Sequence, residues 1–201
     1  MNYSNLAFTE EIKKLQTLNG SREAYEQVEI KGNVDGLTDV EIEFISEMDG
    51  FYLSTIGENG FPYIQFRGGP KGFLKVLNSD TIGFPDFKGN MQYISIGNLK
   101  TKNKVALFLM DYSHKRRLRI YAETDVFNIK NDPELSEKFD IGNYKAKPER
   151  AVVFKVIAFE WACPKFITPK FTEDEIQEMM APQLAYIKKL EKENKELKEK
   201  L

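Results

Sequence analysis

Three short segments of the sequence contain residue types that could bind an anion, and the first follows a predicted strand. It reads Arg67-Gly68-Gly69-Pro70. Paired glycines let another group approach the backbone closely, and their exposed amides can hold an anion. Arg67 adds a fork of guanidinium donors suited to a phosphate. Because Gly-Gly-Pro after a strand is more often a plain turn, this segment alone is a weak indication of a phosphate site.

The second segment lies where a predicted strand passes into a helix predicted over residues 90–100. A helix N-terminus presents unpaired backbone amides and the positive end of the helix dipole, which suits a phosphate. The lysine just before it would supply a neutralising charge. The alternative interpretation is an ordinary loop that Asn90 caps. The candidate ligands in this segment are Lys88, Gly89, Asn90, Met91 and Gln92.

The third segment is the basic run Lys115-Arg116-Arg117-Leu118-Arg119. Alternation along a strand would place Arg117 and Arg119 on one face. On its own, the run is best interpreted as a basic surface strand.

Cysteine and histidine are scarce in the chain, and its many Asp and Glu residues form no cluster with metal-ligand spacing. The single cysteine, Cys163, excludes an internal disulfide and a cysteine-rich metal site, and the single histidine, His114, excludes zinc chemistry with several histidines. His114 also has no evident serine or cysteine partner for a catalytic triad. We therefore assign no catalytic residue and no metal site. Anion-binding loops without a catalytic constellation favour a protein whose cofactor carries the chemistry.

The composition indicates a single globular domain of 201 residues. Lys plus Arg is 29 and Asp plus Glu is 31, and this net charge of −2 argues against nucleic acid or an anionic membrane as the main partner. An apolar fraction of 41% is ample for a core. The first residues lack the order of a signal peptide, and no apolar run approaches the roughly 18–20 residues of a membrane span. We expect a cytoplasmic protein.

Helices are predicted before residue 49, and short antiparallel strands after it. Capping signals at Thr9, Ser21 and Thr38 predict three helices. Six or seven β-rich runs then alternate with turn signals, which favours a small barrel with helices at its ends. The predicted strands cover 51–56, 63–67, 73–77, 81–84, 105–112, 118–126 and 151–161. The third helix is predicted to bury Val40, Phe44, Ile45 and Met48.

The C-terminal segment carries a helical heptad pattern. A capping box at Thr172 opens it, and Pro182 is predicted to interrupt or restart the helix. Asn194 at an a position favours a parallel two-stranded coil, although a solvated helix packing one stripe on its own domain is an equally good interpretation. The a series is Met180, Ile187, Asn194 and Leu201, and the d series is Gln183, Leu190 and Leu197.

Taken in order, these segments resemble the pyridoxamine 5′-phosphate oxidase-like FMN-binding split barrels over about residues 40–165. Within that family the sequence is similar to the flavin-nucleotide-binding proteins related to the oxidase. In that branch a Gly-Asn segment replaces a loop of the oxidase, and Cys-Pro-Lys-aromatic follows the last strand. The matching motifs are Arg67-Gly68-Gly69, Asp80-Thr81-Ile82-Gly83-Phe84, Gly89-Asn90, Val105-Ala106-Leu107-Phe108, Arg117-Leu118-Arg119 and Cys163-Pro164-Lys165-Phe166-Ile167.

The resemblance implies a mainly β protein with flanking helices, a six-stranded antiparallel split β-barrel of the FMN-binding type with a C-terminal helical tail. It also implies a homodimer with FMN in two clefts between the subunits. We accordingly divide the chain into an N-terminal helical segment that packs on the barrel (1–48), the FMN-binding barrel (49–170) and a C-terminal helix (171–201).

The positions of the family's flavin contacts imply roles for individual residues. Arg67 and Lys88 would hold the FMN phosphate, with the predicted helix start beside it. The two glycines would let the backbone approach the isoalloxazine edge, and Arg117 would reach the flavin across the dimer interface. Lys165 and Trp161 are further candidates for the pocket wall. The predicted cofactor-binding set is Arg67, Gly68, Gly69, Lys88, Gly89, Asn90, Met91, Gln92, Arg117 and Lys165.

The function implied is that of an FMN-dependent oxidoreductase with a small-molecule electron donor or acceptor. A true pyridoxamine phosphate oxidase is not expected, because the oxidase's C-terminal Arg-x-x-x-Arg-type substrate segment has no counterpart here. A non-catalytic flavin-binding, storage or electron-carrier protein is the alternative. A barrel that has exchanged FMN for haem or a deazaflavin is a third interpretation, and the single histidine disfavours haem.

Overall fold

Four helices precede the first strand of the computed structural model, which describes residues 2–32, 36–129 and 132–199. They are α1 (Tyr3–Ala7), α2 (Glu10–Leu18), α3 (Arg22–Lys31) and α4 (Asp39–Ser46). The three helices predicted from their capping signals are confirmed, and α1 is additional. The side chain of Asn2 caps α1 by accepting a hydrogen bond from the backbone amide of Ser4.

The last of these helices packs on the barrel core through a four-residue stripe. Glu41, Phe44, Ile45 and Met48 are buried, with the i, i+3, i+4, i+7 spacing of one helix face. Val40 lies outside this stripe and is 61% exposed, so its predicted burial is wrong. The capping box is the physical reason, because Glu41 takes the buried place while its carboxylate bonds to Thr38.

Seven antiparallel strands form one sheet in the order β2-β1-β5-β6-β7-β4-β3. All seven predicted β-rich runs form strands. The family resemblance implies six, and the additional strand is β3, which has four residues and lies at one edge of the sheet. The strands are β1 (Gly50–Ile56), β2 (Pro62–Gly68), β3 (Lys75–Asn78), β4 (Thr81–Phe87), β5 (Lys104–Asp111), β6 (Arg116–Phe127) and β7 (Pro148–Trp161).

The interior of the barrel is filled by aromatic rings from three strands and from the segment that precedes β3. Phe51, Phe73, Phe84 and Phe154 are each at most 2% exposed. Their ring centroids lie 5.3–6.3 Å apart, mostly edge to face. Burying each such side chain stabilises the fold by about 1.5–3 kcal/mol. The cluster therefore fixes how β1, β4 and β7 curve around one core.

Two short helices interrupt the strand order. Helix α5 (Ile94–Leu99) lies between β4 and β5, and α6 (Pro133–Lys138) lies between β6 and β7. Asp132 caps α6 by accepting from the amide of Leu135, and Pro133 occupies the first helical position, as predicted.

The C-terminal helix belongs to a second compact unit, formed by Tyr112–Lys115 and the chain from Lys165 onward. Helix α7 (Glu173–Lys198) starts at the predicted capping box, in which Thr172 and Glu175 exchange hydrogen bonds. It continues through Pro182, so the predicted interruption is wrong. The loss of one backbone hydrogen bond is tolerated within a helix of 26 residues. Leu201 lies outside the described residues.

The division predicted at 1–48, 49–170 and 171–201 stays a prediction beside these two units. Residues 1–48 belong to the same unit as the barrel, and residues 165–170 belong to the unit that contains α7. Across the described residues, no helix combines the length and apolar character needed to cross a membrane.

Candidate functional site

A cleft is lined by residues of β2, β4 and β7, and the loop between β4 and α5 forms its rim. The strands supply polar and charged side chains, and the loop supplies backbone and short polar side chains. The cleft is lined by Tyr63, Gln65, Arg67, Asp86, Phe87, residues 89–96 and Arg150.

Alternation along β2 determines which of its side chains enter the cleft. Tyr63, Gln65 and Arg67 share one face of the strand and line the cleft. Ile64 and Phe66 point to the other face, where they are 64% and 58% exposed. The same strand therefore builds a polar cleft on one side and an apolar outer surface on the other.

Asp86 is the centre of the charged cluster in this cleft. Its carboxylate accepts a hydrogen bond from Nη1 of Arg67 at 3.0 Å and from Nε of Arg150 at 2.9 Å. The Asp86 side chain is 3% exposed, so this pairing is essentially withdrawn from water. Arg150 also donates to Glu149 at 2.6 Å. The contact between Arg67 and Asp86 joins β2 to β4, which are not hydrogen-bonded neighbours in the sheet.

Arg67 retains unused hydrogen-bonding capacity. Its Nε is buried and has no acceptor among the residues that the structure describes. Burial lowers the pKa of Arg67, and the charge of Asp86 opposes that effect. A guanidinium nevertheless stays protonated in proteins and donates to several acceptors at once. A buried donor without an acceptor costs about 1–3 kcal/mol, so an anion or carbonyl placed beside Arg67 would relieve that cost.

The helix predicted over 90–100 is shorter than expected, because α5 begins only at Ile94. Met91 and Tyr93 adopt left-handed backbone conformations, with φ of 62° and 54°, which a continuous α-helix does not accommodate. Asn90 instead accepts a hydrogen bond from the Gln92 amide at 3.2 Å within the loop. Asn90, Met91 and Gln92 therefore reach the cleft as loop residues, and the argument from the helix dipole does not apply to them.

Ser95 and Gln65 connect this loop to β2. Ser95 is 1% exposed, and its hydroxyl donates to Oε1 of Gln65 at 2.9 Å. The bond fixes the Gln65 amide so that its oxygen faces Ser95 and its Nε2 group remains a donor. Arg150 lies over the Tyr93 ring, with its guanidinium carbon 5.2 Å from the ring centroid. Cation–π contact thus holds Tyr93 at the rim.

Half of the predicted cofactor-binding residues come together in this cleft. They are Arg67, Gly89, Asn90, Met91 and Gln92. A Cβ added to Gly89 would have no atom within 4 Å, so the chain passes through open space at that position.

The paired glycines have a packing role in the structure. A Cβ on Gly69 would lie 2.5 Å from the Phe73 ring, and a Cβ on Gly68 would lie 2.9 Å from the Phe66 ring. The Gly69 amide already donates to the Asp49 carbonyl at 2.9 Å. The rings of Phe66 and Phe73 therefore already occupy the space beside these two glycines. Flavin contact by either glycine stays a prediction.

Four other candidates are not among the residues that line this cleft. Lys88 is exposed at the end of β4, where it would act only from the rim. Arg117 extends from β6, and its Nε is buried without an acceptor in the described part of the chain. Lys165 lies in the second unit. Trp161 packs on Phe44 of α4. Its indole N–H already donates a hydrogen bond to Glu41 of the same helix.

No local motif in the sequence indicates the partners of Arg67. Asp86 and Arg150 are 64 positions apart and meet because the antiparallel register of β4 and β7 places them directly opposite each other. Gln65 and Tyr93 were likewise not predicted. The alternation of β2 could have indicated Gln65, since it lies two residues before Arg67 on the same strand face.

No protein-family model matches the chain, and no curated protein matches it. Several solved structures are similar to it. HupZ from group A Streptococcus is 13% identical, and the match covers 67% of this chain and 99% of HupZ with a TM-score of 0.47. An FMN-binding protein from Syntrophomonas wolfei is 18% identical, with 73% of this chain and 97% of that one covered and a TM-score of 0.47.

A third similar structure is a Clostridium acetobutylicum protein related to general stress protein 26 of B. subtilis, of the pyridoxine phosphate oxidase family. It is 18% identical, the match covers 68% of this chain and 94% of that chain, and the TM-score is 0.45. The structural neighbours are proteins of the kind that the sequence resembles. The predicted antiparallel sheet with flanking helices and a long C-terminal helix is confirmed.

Proposed function

We propose that this protein is a pyridoxamine 5′-phosphate oxidase-like flavoprotein that binds FMN in the cleft around Arg67 and acts as an oxidoreductase. The observation that carries the proposal is the donor capacity of Arg67, whose buried Nε has no acceptor among the described residues. A phosphate would supply that acceptor through a charge-assisted hydrogen bond. FMN, when bound, supplies electron transfer that none of the protein's own side chains can perform.

The residues of the cleft fit the different parts of such a ligand. Arg67 would hold the phosphate, helped by backbone amides of the loop at 89–92. Lys88, at the rim, would add positive charge through solvent. The Nε2 group of Gln65, oriented by Ser95, is a hydrogen-bond donor suited to a ring carbonyl. Tyr63 and Tyr93 give the cleft aromatic walls.

We further propose that two copies of the chain associate through the outer face of the sheet. One row across four strands contains Phe66, Tyr52, Phe108 and Arg119, which the strand registers place side by side. Phe66 contacts Tyr52 at 5.5 Å between ring centroids and is still 58% exposed. An isologous dimer would cover such an aromatic row with its own copy. Arg117, on the same face of β6 as Arg119, would then reach the partner's cleft.

The first test is spectroscopic. Purified protein is titrated with FMN, and absorption and fluorescence are followed before and after anaerobic addition of NADH or NADPH. Bound flavin that bleaches supports the oxidoreductase. Bound flavin that both NADH and NADPH leave oxidised supports the non-catalytic carrier. No flavin binding would overturn the proposal.

The second test concerns the site itself. Arg67→Ala is expected to weaken FMN binding by about 10- to 100-fold, the equivalent of about 1.5–3 kcal/mol for a charge-assisted hydrogen bond. Lys88→Ala should have a smaller effect, since its side chain is exposed. Lys71→Ala is the control, because Lys71 is 71% exposed and pairs with Glu47 away from the cleft. Equal affinity of Arg67→Ala and the control would contradict the assignment.

A further inference from the structure

Helix α7 carries a mostly apolar stripe of exposed side chains. It spans 26 residues, about 39 Å, and none of its described residues is buried. Ile176, Ile187 and Leu190 are 46%, 49% and 43% exposed. A long helix of this kind is marginal in water unless its apolar face packs against something.

The stripe has the spacing of a coiled-coil seam. Starting at Ile176, the seam positions alternate by four and three residues through to Leu197. Pro182 falls at a c position, which faces away from a partner helix, so the proline does not obstruct the seam. The seam consists of Ile176, Met180, Gln183, Ile187, Leu190, Asn194 and Leu197.

Polar residues on and beside the seam specify orientation. In a parallel, in-register pair each a residue faces its own copy, so Asn194 would hydrogen-bond to Asn194. In an antiparallel pair an a residue faces a d residue, and the Asn194 amide would be buried against an apolar side chain at a cost of about 1–3 kcal/mol. The parallel arrangement also sets Glu193 at g opposite Lys198 at e of the other helix, an attractive pair.

We propose that α7 forms a parallel, in-register, two-stranded coiled coil with α7 of a second copy of this chain. The partner that covers the apolar stripe is therefore α7 of the second copy. The heptad register, the polar a position and the complementary charges at the flanking positions support this assignment. The proposal is independent of flavin binding.

Disulfide trapping in the full-length chain tests the proposal. The exposed Cys163 is first replaced by Ser, and Leu190→Cys or Leu197→Cys is then introduced at the seam. Lys192→Cys, at an outward f position, is the matched control. Both seam variants should cross-link at least tenfold faster than the control under mild oxidation. Equal rates at all three positions would overturn the coiled coil.

The same experiment distinguishes the two orientations. In an antiparallel pair that brings the two copies of residue 190 together, the two copies of residue 197 would be roughly 20 Å apart, so cross-linking at 190 without cross-linking at 197 would overturn the parallel arrangement. Lys198→Glu should slow trapping at 190 several-fold by placing like charges together. Adding Glu193→Lys to it should restore the rate, and identical rates in all three backgrounds would contradict the predicted pairing of flanking charges.

Discussion

At the scale of single residues, Asp86 determines the geometry of the proposed FMN site. One buried carboxylate binds two guanidiniums, and each comes from a different strand. The pairing holds Arg67 close to the end of β4, so that its remaining donors face the region of the rim loop. Removing one partner of a buried ion pair leaves an uncompensated charge, which costs far more than breaking an exposed pair.

We therefore expect Asp86→Asn to lower the free energy of unfolding by about 3 kcal/mol, because Arg67 and Arg150 would face each other without a carboxylate between them. Urea denaturation measures the change. Glu47→Gln is the control, since Glu47 and its partner Lys71 are 60% and 71% exposed and their pair contributes little. A loss below 1 kcal/mol for Asp86→Asn would show that the cluster is solvated rather than buried.

Arg67 and its neighbours also show which residues of the candidate site could be predicted from the sequence. Arg67 and the loop at 89–92 could be predicted because they lie in short motifs with recognisable chemistry. Asp86 and Arg150 could not, because their contact depends on the register between two strands that are far apart in sequence. The packing of Phe73 against Gly69 could not be predicted either. A glycine pair allows the close approach of a ligand and of a neighbouring ring equally well.

At the scale of elements, α4 is tied to the end of β7 through a single carboxylate. Trp161 Nε1 donates to Oε1 of Glu41 at 2.6 Å, and the amide of Thr38 donates to Oε2 at 3.0 Å. The capping box itself was predicted from the sequence, whereas the contact with Trp161 was not, because it joins residues 120 positions apart. The local capping residues thus determine where the helix begins. Its contact with the end of β7 depends on the tertiary structure.

The pH dependence of stability should report this contact. Burial alone would raise the pKa of Glu41, but hydrogen bonds from Thr38 and Trp161 outweigh it and lower the pKa below its ordinary 4.5. A lowered folded-state pKa means that the stabilisation is present above about pH 4.5 and is lost as the pH falls through the folded-state value.

Glu41→Gln is accordingly expected to cost about 2 kcal/mol at pH 7, the range of hydrogen bonds to a charged group. The difference from the unsubstituted protein should shrink as the pH falls from about 4.5 through the lowered folded-state pKa of Glu41, because protonation removes the carboxylate from both proteins. Urea denaturation across pH 3–7 measures it, with the exposed Glu43→Gln on the same helix as control. A pH-independent difference would mean that Glu41 acts through packing alone.

At the scale of the whole molecule, we propose two separate contacts between copies, one through the outer face of the sheet and one through the C-terminal helix. The first is a mixed aromatic and basic surface on β2, β1, β5 and β6, and the second is the apolar stripe of α7. The sequence could indicate α7, since a heptad pattern is local. Exposure of Ile64 and Phe66 was not predictable, because the alternation of β2 does not by itself tell which face is turned to the core.

Substitution on the sheet face should separate the two contacts. Ile64→Glu is expected to weaken self-association of the full-length chain by at least tenfold, since a charge placed in an apolar interface must be desolvated without a partner. Analytical ultracentrifugation over a dilution series measures this. Ile30→Glu on α3 is the matched control, because Ile30 and Ile64 are 66% and 64% exposed and differ only in the surface that carries them.

The same pair of variants connects assembly to the proposed cofactor. If Arg117 of one copy completes the cleft of the other, Ile64→Glu weakens FMN binding together with dimerisation, whereas Ile30→Glu changes neither. Trapping of α7 through Leu197→Cys should survive in the Ile64→Glu background, because the coiled coil uses a different surface. Full FMN affinity in a protein that no longer associates through the sheet would show that a single copy builds the whole site, and Arg117 would then have no part in binding.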